Sequence, residues 1–140
     1  MKILLPVDGS DYTKRMLAYL AAHDELLGPG HDYTAFCAVA PIPQHAGRFL
    51  PPGTLEDYYR EQAEKVFEPI RAFAQQQEWR FQTVHKCGHA ADAIAHFAEA
   101  EKFGLIVMGT HGHSALGNMV LGSVATGVLA RCKIPVLLVH

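Results

Sequence analysis

An open, doubly wound parallel α/β sheet, with helices on both faces, is the fold that three observations predict. Five short strand-like runs recur along the chain, at residues 2–7, 33–40, 79–85, 105–108 and 134–139. Between them lie segments whose apolar residues recur every three or four positions, the spacing of an amphipathic helix. Four of the five runs are nearly continuous in apolar residues, as strands buried on both faces are. Strands that alternate with helices become parallel neighbours joined by right-handed crossovers.

Residues 2–7 make the first strand, with Pro6 near its end. Asp8-Gly9-Ser10 break it, and Ser10 is a candidate N-cap because its hydroxyl can accept a first-turn N–H. Met16, Leu17, Leu20, Ala21 and Leu27 form the inward stripe of the helix that follows, and Gly28-Pro29-Gly30 end it. Residues 33–40 form the second strand. The proline-rich stretch 41–53 is a long loop, expected to be mobile and able to close over a ligand. Thr54 and Asp57 stand at capping-box spacing. The helix they open turns Tyr59, Ala63, Val66, Ile70, Phe73 and Ala74 inward, with a kink expected at Pro69. Residues 79–85 alternate in polarity, as a strand nearer a sheet edge does. Ala91, Ile94, Ala95 and Ala98 make the next stripe, opposite Asp92, His96 and Glu99. Residues 105–108 are the fourth strand, Ser123–Arg131 a short helix, and 134–139 the fifth strand. No internal repeat or second domain is visible, so 1–140 reads as one domain.

Composition bounds the partners. A chain of 140 residues, 49% hydrophobic, can bury a substantial core. A net charge of −2 provides no field for nucleic acid or an anionic membrane, and neither is expected as a partner. Cys37, Cys87 and Cys132 are scattered, which suits reduced thiols better than a disulfide framework or a zinc site. No stretch has signal-peptide or membrane-spanning character, so a soluble cytoplasmic protein is expected. His23, His31, His45, His85, His89, His96 and His140 read as surface residues, and Trp79, Tyr58 and Tyr59 as packing residues.

The stretch 109–123, GTHGHSALGNMVLGS, follows the fourth strand and leads into a helix. Gly109, Gly112 and Gly122 let backbone N–H groups approach an anion, and the helix beginning near Ser123 points its positive end at the same place. This is neither a Walker A loop nor a Gly-x-Gly-x-x-Gly turn. The alternative is a merely flexible glycine-rich loop. Backbone N–H groups, the Ser123 hydroxyl and a helix N-terminus suit a polyphosphate, yet no lysine assists them. The missing positive charge must come from a divalent cation, Mg²⁺, or from His111 and His113. A His111-x-His113 metal pair lacks a third ligand and is set aside. Ligands of such sheets bind beyond the carboxyl ends of the strands, where strand order reverses, which draws Asp8, Val39 and Gly109 toward one crevice.

Gly109, two residues, Gly112, nine residues, then Gly122-Ser123 resembles the nucleotide-binding signature of the universal stress proteins. The opening ILLPVDGS, the LIVMGTHGHS junction, the LGSVA segment and the closing IPVLLVH resemble that family in the same order, so the likeness spans the chain. Gly104 departs from it, where the family commonly has Asp, as do the histidines at 111 and 113. The resemblance implies a Rossmann-like sheet of order 3-2-1-4-5. It puts Pro6, Val7, Asp8 and Ser10 near adenine and ribose, and the backbone of Ala38 and Val39 against the base. Gly109, His111, Gly112, Gly122, Ser123 and Val124 are implied at ribose and phosphate, with Met108, His113 and Ala125 flanking them. Asp8 is assigned to the ligand, with capping of the first helix as its alternative. The family also implies an ATP-binding regulatory protein whose nucleotide state shifts assembly or partner choice. The alternatives are a nucleotide-free interaction module and a phosphohydrolase or phosphotransferase. With no lysine and no positioned base, no residue takes a catalytic role, and any ATP turnover should be slow. The inferred order leaves strand five at an edge, so a symmetric homodimer is expected through Val136, Leu137, Leu138 and Val139.

Overall fold

Ile3, Leu4 and Leu5 are fully buried in β1 (Lys2–Pro6), and in the computed structural model, which describes residues 1–113 and 118–140, this strand is the centre of the sheet. It pairs on one side with β2 (Asp32–Val39) and on the other with β4 (Leu105–Gly109). Outside these lie β3 (Arg80–Cys87) and β5 (Val136–Val139), giving the order β3-β2-β1-β4-β5 with every pair parallel. Successive strand residues face opposite ways, so each strand feeds two cores. Ile3, Leu5, Tyr33, Ala35 and Val107 pack with Met16 and Leu20 of α1 (Asp11–Ala22) and Phe67 and Ile70 of α4 (Thr54–Gln76). Leu4, Phe36, Ile106 and Met108 pack on the other face with Ile94 and Ala98 of α5 (Ala90–Ala100) and Val128 of α6 (Ser123–Arg131). The sheet is therefore doubly wound, with the strand order that the resemblance implies.

Several boundaries differ from the sequence expectation, each for a local reason. Helix α1 stops at Ala22 because His23 takes a non-helical φ of −122° and ψ of 47°, so buried Leu27 belongs to a separate single turn, α2 (Asp24–Leu27). Helix α4 starts one residue early: Gly53, at φ 85°, occupies the N-cap, Thr54 is already helical, and no side-chain cap bond forms. Ser10 does stand at the N-cap of α1, but its buried hydroxyl has no partner among the described residues. The proline-rich stretch contains one turn of helix, α3 (Gln44–Gly47), and is tied to α4 where Ile42 N–H donates to the Tyr59 hydroxyl at 3.0 Å. Helix α4 continues through Pro69, whose missing N–H falls on its exposed side. Trp79 precedes β3 and is buried, stacked on Tyr33 at 4.7 Å between ring centres.

Candidate functional site

The chain leaves β1 toward β2 on one side and reaches β4 on the other, and the resulting gap between diverging connections holds a cleft of about 590 Å³. Much of its lining is apolar: Pro6 and Val7 from the end of β1, Ala38 from β2, Met108 and Gly109 from β4, and Val124 and Ala125 from α6. The polar part of the lining comes from Asp8, His111, Gly112, His113, Gly122 and Ser123. Ser10 and Val39 lie outside this lining. The reason at β2 is the two-residue alternation: Phe36, Ala38 and Ala40 face the cleft, so Val39 turns its side chain into the opposite core, and its carbonyl accepts from Gly88 N–H at 3.0 Å. Ser10 instead turns its side chain into the protein and gives its N–H to Asp8 Oδ1 at 2.9 Å.

Thr13, Phe36, Ala40, Ala90, Ile94, Thr110 and Met119 also line the cleft, and the sequence reading did not include them. Period two from Ala38 would have found Phe36 and Ala40. Helical spacing relates Ala90 to Ile94, which face the cleft together from α5. Thr13 carries no such signal, because its place follows from the bond that its hydroxyl donates to Asp8 Oδ1 at 3.0 Å.

Asp8 joins the two sides of the polar lining. Its Oδ1 accepts from Ser10 N–H and the Thr13 hydroxyl, and its Oδ2 accepts from His113 N–H at 3.3 Å across the cleft. A Cβ on Gly112 would come within 2.5 Å of Oδ2, so only glycine lets the loop approach this carboxylate. His113 Nε2–H donates to the Asp8 carbonyl at 2.7 Å, closing the same junction a second time. His111 Nε2–H donates to the Met119 carbonyl at 2.8 Å, which leaves Nδ1 to accept from the Thr110 hydroxyl at 2.9 Å. That hydroxyl accepts in turn from His140 Nδ1 at 3.1 Å, so His140, exposed at the surface as expected, also joins the network. The carboxylate of Asp8 and burial together push the Cys37 thiol up to about 11, with burial the larger cause, which makes it a poor nucleophile at neutral pH.

The anion-binding capacity sits at the start of α6. Ser123, Val124 and Ala125 present N–H groups with no acceptor among the described residues, as the first turn of a helix does, and the Ser123 side chain lines the cleft beside them. Gly122 contributes differently from the sequence expectation. Its N–H is already given to the Thr110 carbonyl at 2.7 Å, and a Cβ there would lie 2.9 Å from that same oxygen. Its role is to let the strand end and the helix start touch. Among the described residues no three His, Cys, Asp or Glu side chains are grouped to hold a metal ion.

Comparison with known proteins gives a consistent result. The family model described as "Universal stress protein family" matches residues 1–140. The chain is 38% identical over 140 residues to the universal stress protein in the QAH/OAS sulfhydrylase 3′ region of Thermus aquaticus, covering 99% of this chain and 97% of that one. It is 31% identical over 143 residues to universal stress protein MJ0531 of Methanocaldococcus jannaschii, covering 99% and 81%. Among solved structures, the hypothetical protein MJ0577 superposes with a TM-score of 0.83 at 25% identity, over 99% of this chain and 94% of that one. A universal stress protein in complex with cAMP has the same fold, with a TM-score of 0.71 at 19% identity over 100% and 97%. So does the Archaeoglobus fulgidus protein in complex with dAMP, at 0.69 and 21% over 100% and 98%. By its matched model, its relatives and its fold, this chain belongs to the universal stress protein family.

Proposed function

We propose that this chain binds ATP in the cleft between β1 and β4, with the base against the apolar lining and the phosphates at the start of α6. The observation that carries the reading is the set of N–H groups of Ser123, Val124 and Ala125, without an acceptor among the described residues, in residues that line a largely apolar cleft of about 590 Å³. Family members in complex with cAMP and dAMP support an adenine nucleotide as the ligand class. Mg²⁺ fits the same reading through its charge. The lining offers no lysine or arginine to a triphosphate, and both Asp8 oxygens are taken by protein donors. A cation held by the phosphates themselves would supply the neutralisation. Bound nucleotide is proposed to bias assembly, which we assign to a homodimer joined through β5, in a cytoplasmic protein; no helix among the described residues is long and apolar enough to cross a membrane.

Calorimetry with Mg²⁺ and ATP tests the site. Wild type should bind, and Gly122→Lys should not, because the new side chain both enters the phosphate end and displaces the Thr110 carbonyl 2.9 Å away. A melting curve checks that the variant still folds. Equal affinity in the two proteins would remove the phosphates from the start of α6, and no wild-type binding at millimolar ATP would favour a nucleotide-free interaction module. Turnover should stay below about 1 per second, the low end for ordinary enzymes, because the lining offers no lysine among the described residues and both Asp8 oxygens are taken by protein donors. Phosphate release at an ordinary enzymatic rate, lost in Asp8→Asn, would make the protein a hydrolase.

A further inference from the structure

The side chains lining the cleft that can carry positive charge are His111 and His113 alone among the described residues; lysine and arginine are absent from it. The two rings are committed differently. Both nitrogens of His111 are in use, Nε2–H on the Met119 carbonyl and Nδ1 on the Thr110 hydroxyl. A second proton on that ring would face the hydroxyl hydrogen that now bonds to it, so the Thr110 and His140 chain would have to rearrange. His113 also donates through Nε2–H, to the Asp8 carbonyl, but its Nδ1 has no partner among the described residues. A proton can be added there without loss of any bond described.

Charged and titratable neighbours are distributed unevenly around the two rings. Asp8 is the carboxylate of the cleft lining, and its Oδ2 accepts the His113 N–H at 3.3 Å. The other ionisable groups gather around His111 instead: Tyr12 of α1 lies 5.1 Å from it between ring centres, Arg15 lies over the Tyr12 ring at 5.0 Å, and His140 follows β5. The residues that β2, α5 and α6 contribute to the lining are uncharged.

We propose that His113 is the proton-dependent phosphate contact of the cleft, so that nucleotide affinity rises as pH falls through the range in which an imidazole ordinarily titrates. The proposal rests on the nucleotide reading of the site and adds its regulation. As imidazolium, His113 gains an Nδ1–H that can donate a charge-assisted bond to phosphate, which the neutral ring cannot do, and by linkage the complex takes up protons as it forms. The neutral histidine leaves the phosphates with backbone donors and the Ser123 hydroxyl only.

The test is calorimetric titration of metal-free ATP into wild type, His113→Gln and His113→Lys at pH 8.5 and pH 5.5. ATP's own titration is common to all three proteins, so the ratio of affinities is read. Wild type should bind no more tightly than His113→Gln at pH 8.5, and about 5- to 10-fold more tightly at pH 5.5, the usual advantage of a charged over a neutral hydrogen bond. His113→Lys should hold that advantage over His113→Gln at both pH values. Near pH 6.5, binding to wild type should take up protons, seen as a heat that depends on the buffer, and binding to His113→Lys should take up fewer. Wild type and His113→Gln that track each other at both pH values would overturn the proposal and leave nucleotide binding standing. Absence of ATP binding by wild type at either pH would overturn both.

Discussion

Asp8 gives its carboxylate to its own chain, and this determines which neighbours it tolerates. Gly112→Ala would set a methyl group 2.5 Å from Oδ2, so the loop or the acid must move, at about 1–3 kcal/mol for an overpacked contact. Asp8→Ala removes the obstacle, and the double variant should lose less stability in urea than the two single losses added; strict additivity would mean that the contact is not formed. Ser10 makes the opposite case. A capping serine replaced by alanine costs about 1 kcal/mol, but the Ser10 hydroxyl is buried without a partner. Ser10→Ala should therefore leave stability unchanged or raise it slightly, since an unpaired polar atom is removed, and a loss of cap size would show that the hydroxyl is bonded after all.

At the scale of elements, β2 shows what the sequence makes legible. Its apolar run announces a covered strand, and Tyr33, Ala35 and Phe36 are buried as that pattern requires. The helix stripe of Ala91, Ile94, Ala95 and Ala98 is likewise buried in full, because a 3.6-residue period leaves little freedom about which face turns inward. Chain ends of elements were less legible. Thr54 looks like a cap by residue type, but Gly53 can take the φ of 85° that the incoming chain needs, and this backbone geometry decided the boundary. The resemblance assigns the backbone of Val39 to the base, while alternation along the strand sends its side chain to the opposite core. Thr13 and Thr110 owe their place to bonds across the chain, which spacing does not carry. β2 also gives the fold a pH limit. Burial pushes the Tyr33 phenol up to about 12, and its hydroxyl donates to the carbonyls of Leu27 and Gly28. An unfolded tyrosine loses its proton near 10, so the contribution is fully present below about pH 10 and falls as pH rises toward 12, where the unfolded chain holds fewer protons than the folded one. Tyr33→Phe should flatten that alkaline slope in a urea series and cost about 1–3 kcal/mol at pH 7 through the two carbonyls left without a donor.

For the whole molecule, assembly turns on the two sheet edges. Ile106 N–H donates to the Pro135 carbonyl and Thr110 N–H to the Val139 carbonyl, so in the alternating ladder of a parallel pair Val136 and Leu138 direct their backbone groups outward. Val139 is buried in the core shared with α1, and a charge there would unfold the protomer as readily as part a dimer. Leu138→Pro is the cleaner variant, since an outward N–H can be dispensed with on an edge strand but not in a two-fold pairing of edges. Light scattering behind a sizing column should give twice the chain mass for wild type and the chain mass for Leu138→Pro, with melting curves alike; a wild-type monomer at micromolar concentration would end the assignment to β5. The far edge has a different character. β3 carries Arg80, His85 and Lys86 along it, the kind of charge that keeps strands from adding to a sheet. A chain with one adhesive edge and one guarded edge can be joined only once. If two copies pair through β5 as proposed, no apolar strand edge is left among the described residues, so growth would stop at two copies, where two apolar edges would run on into a filament.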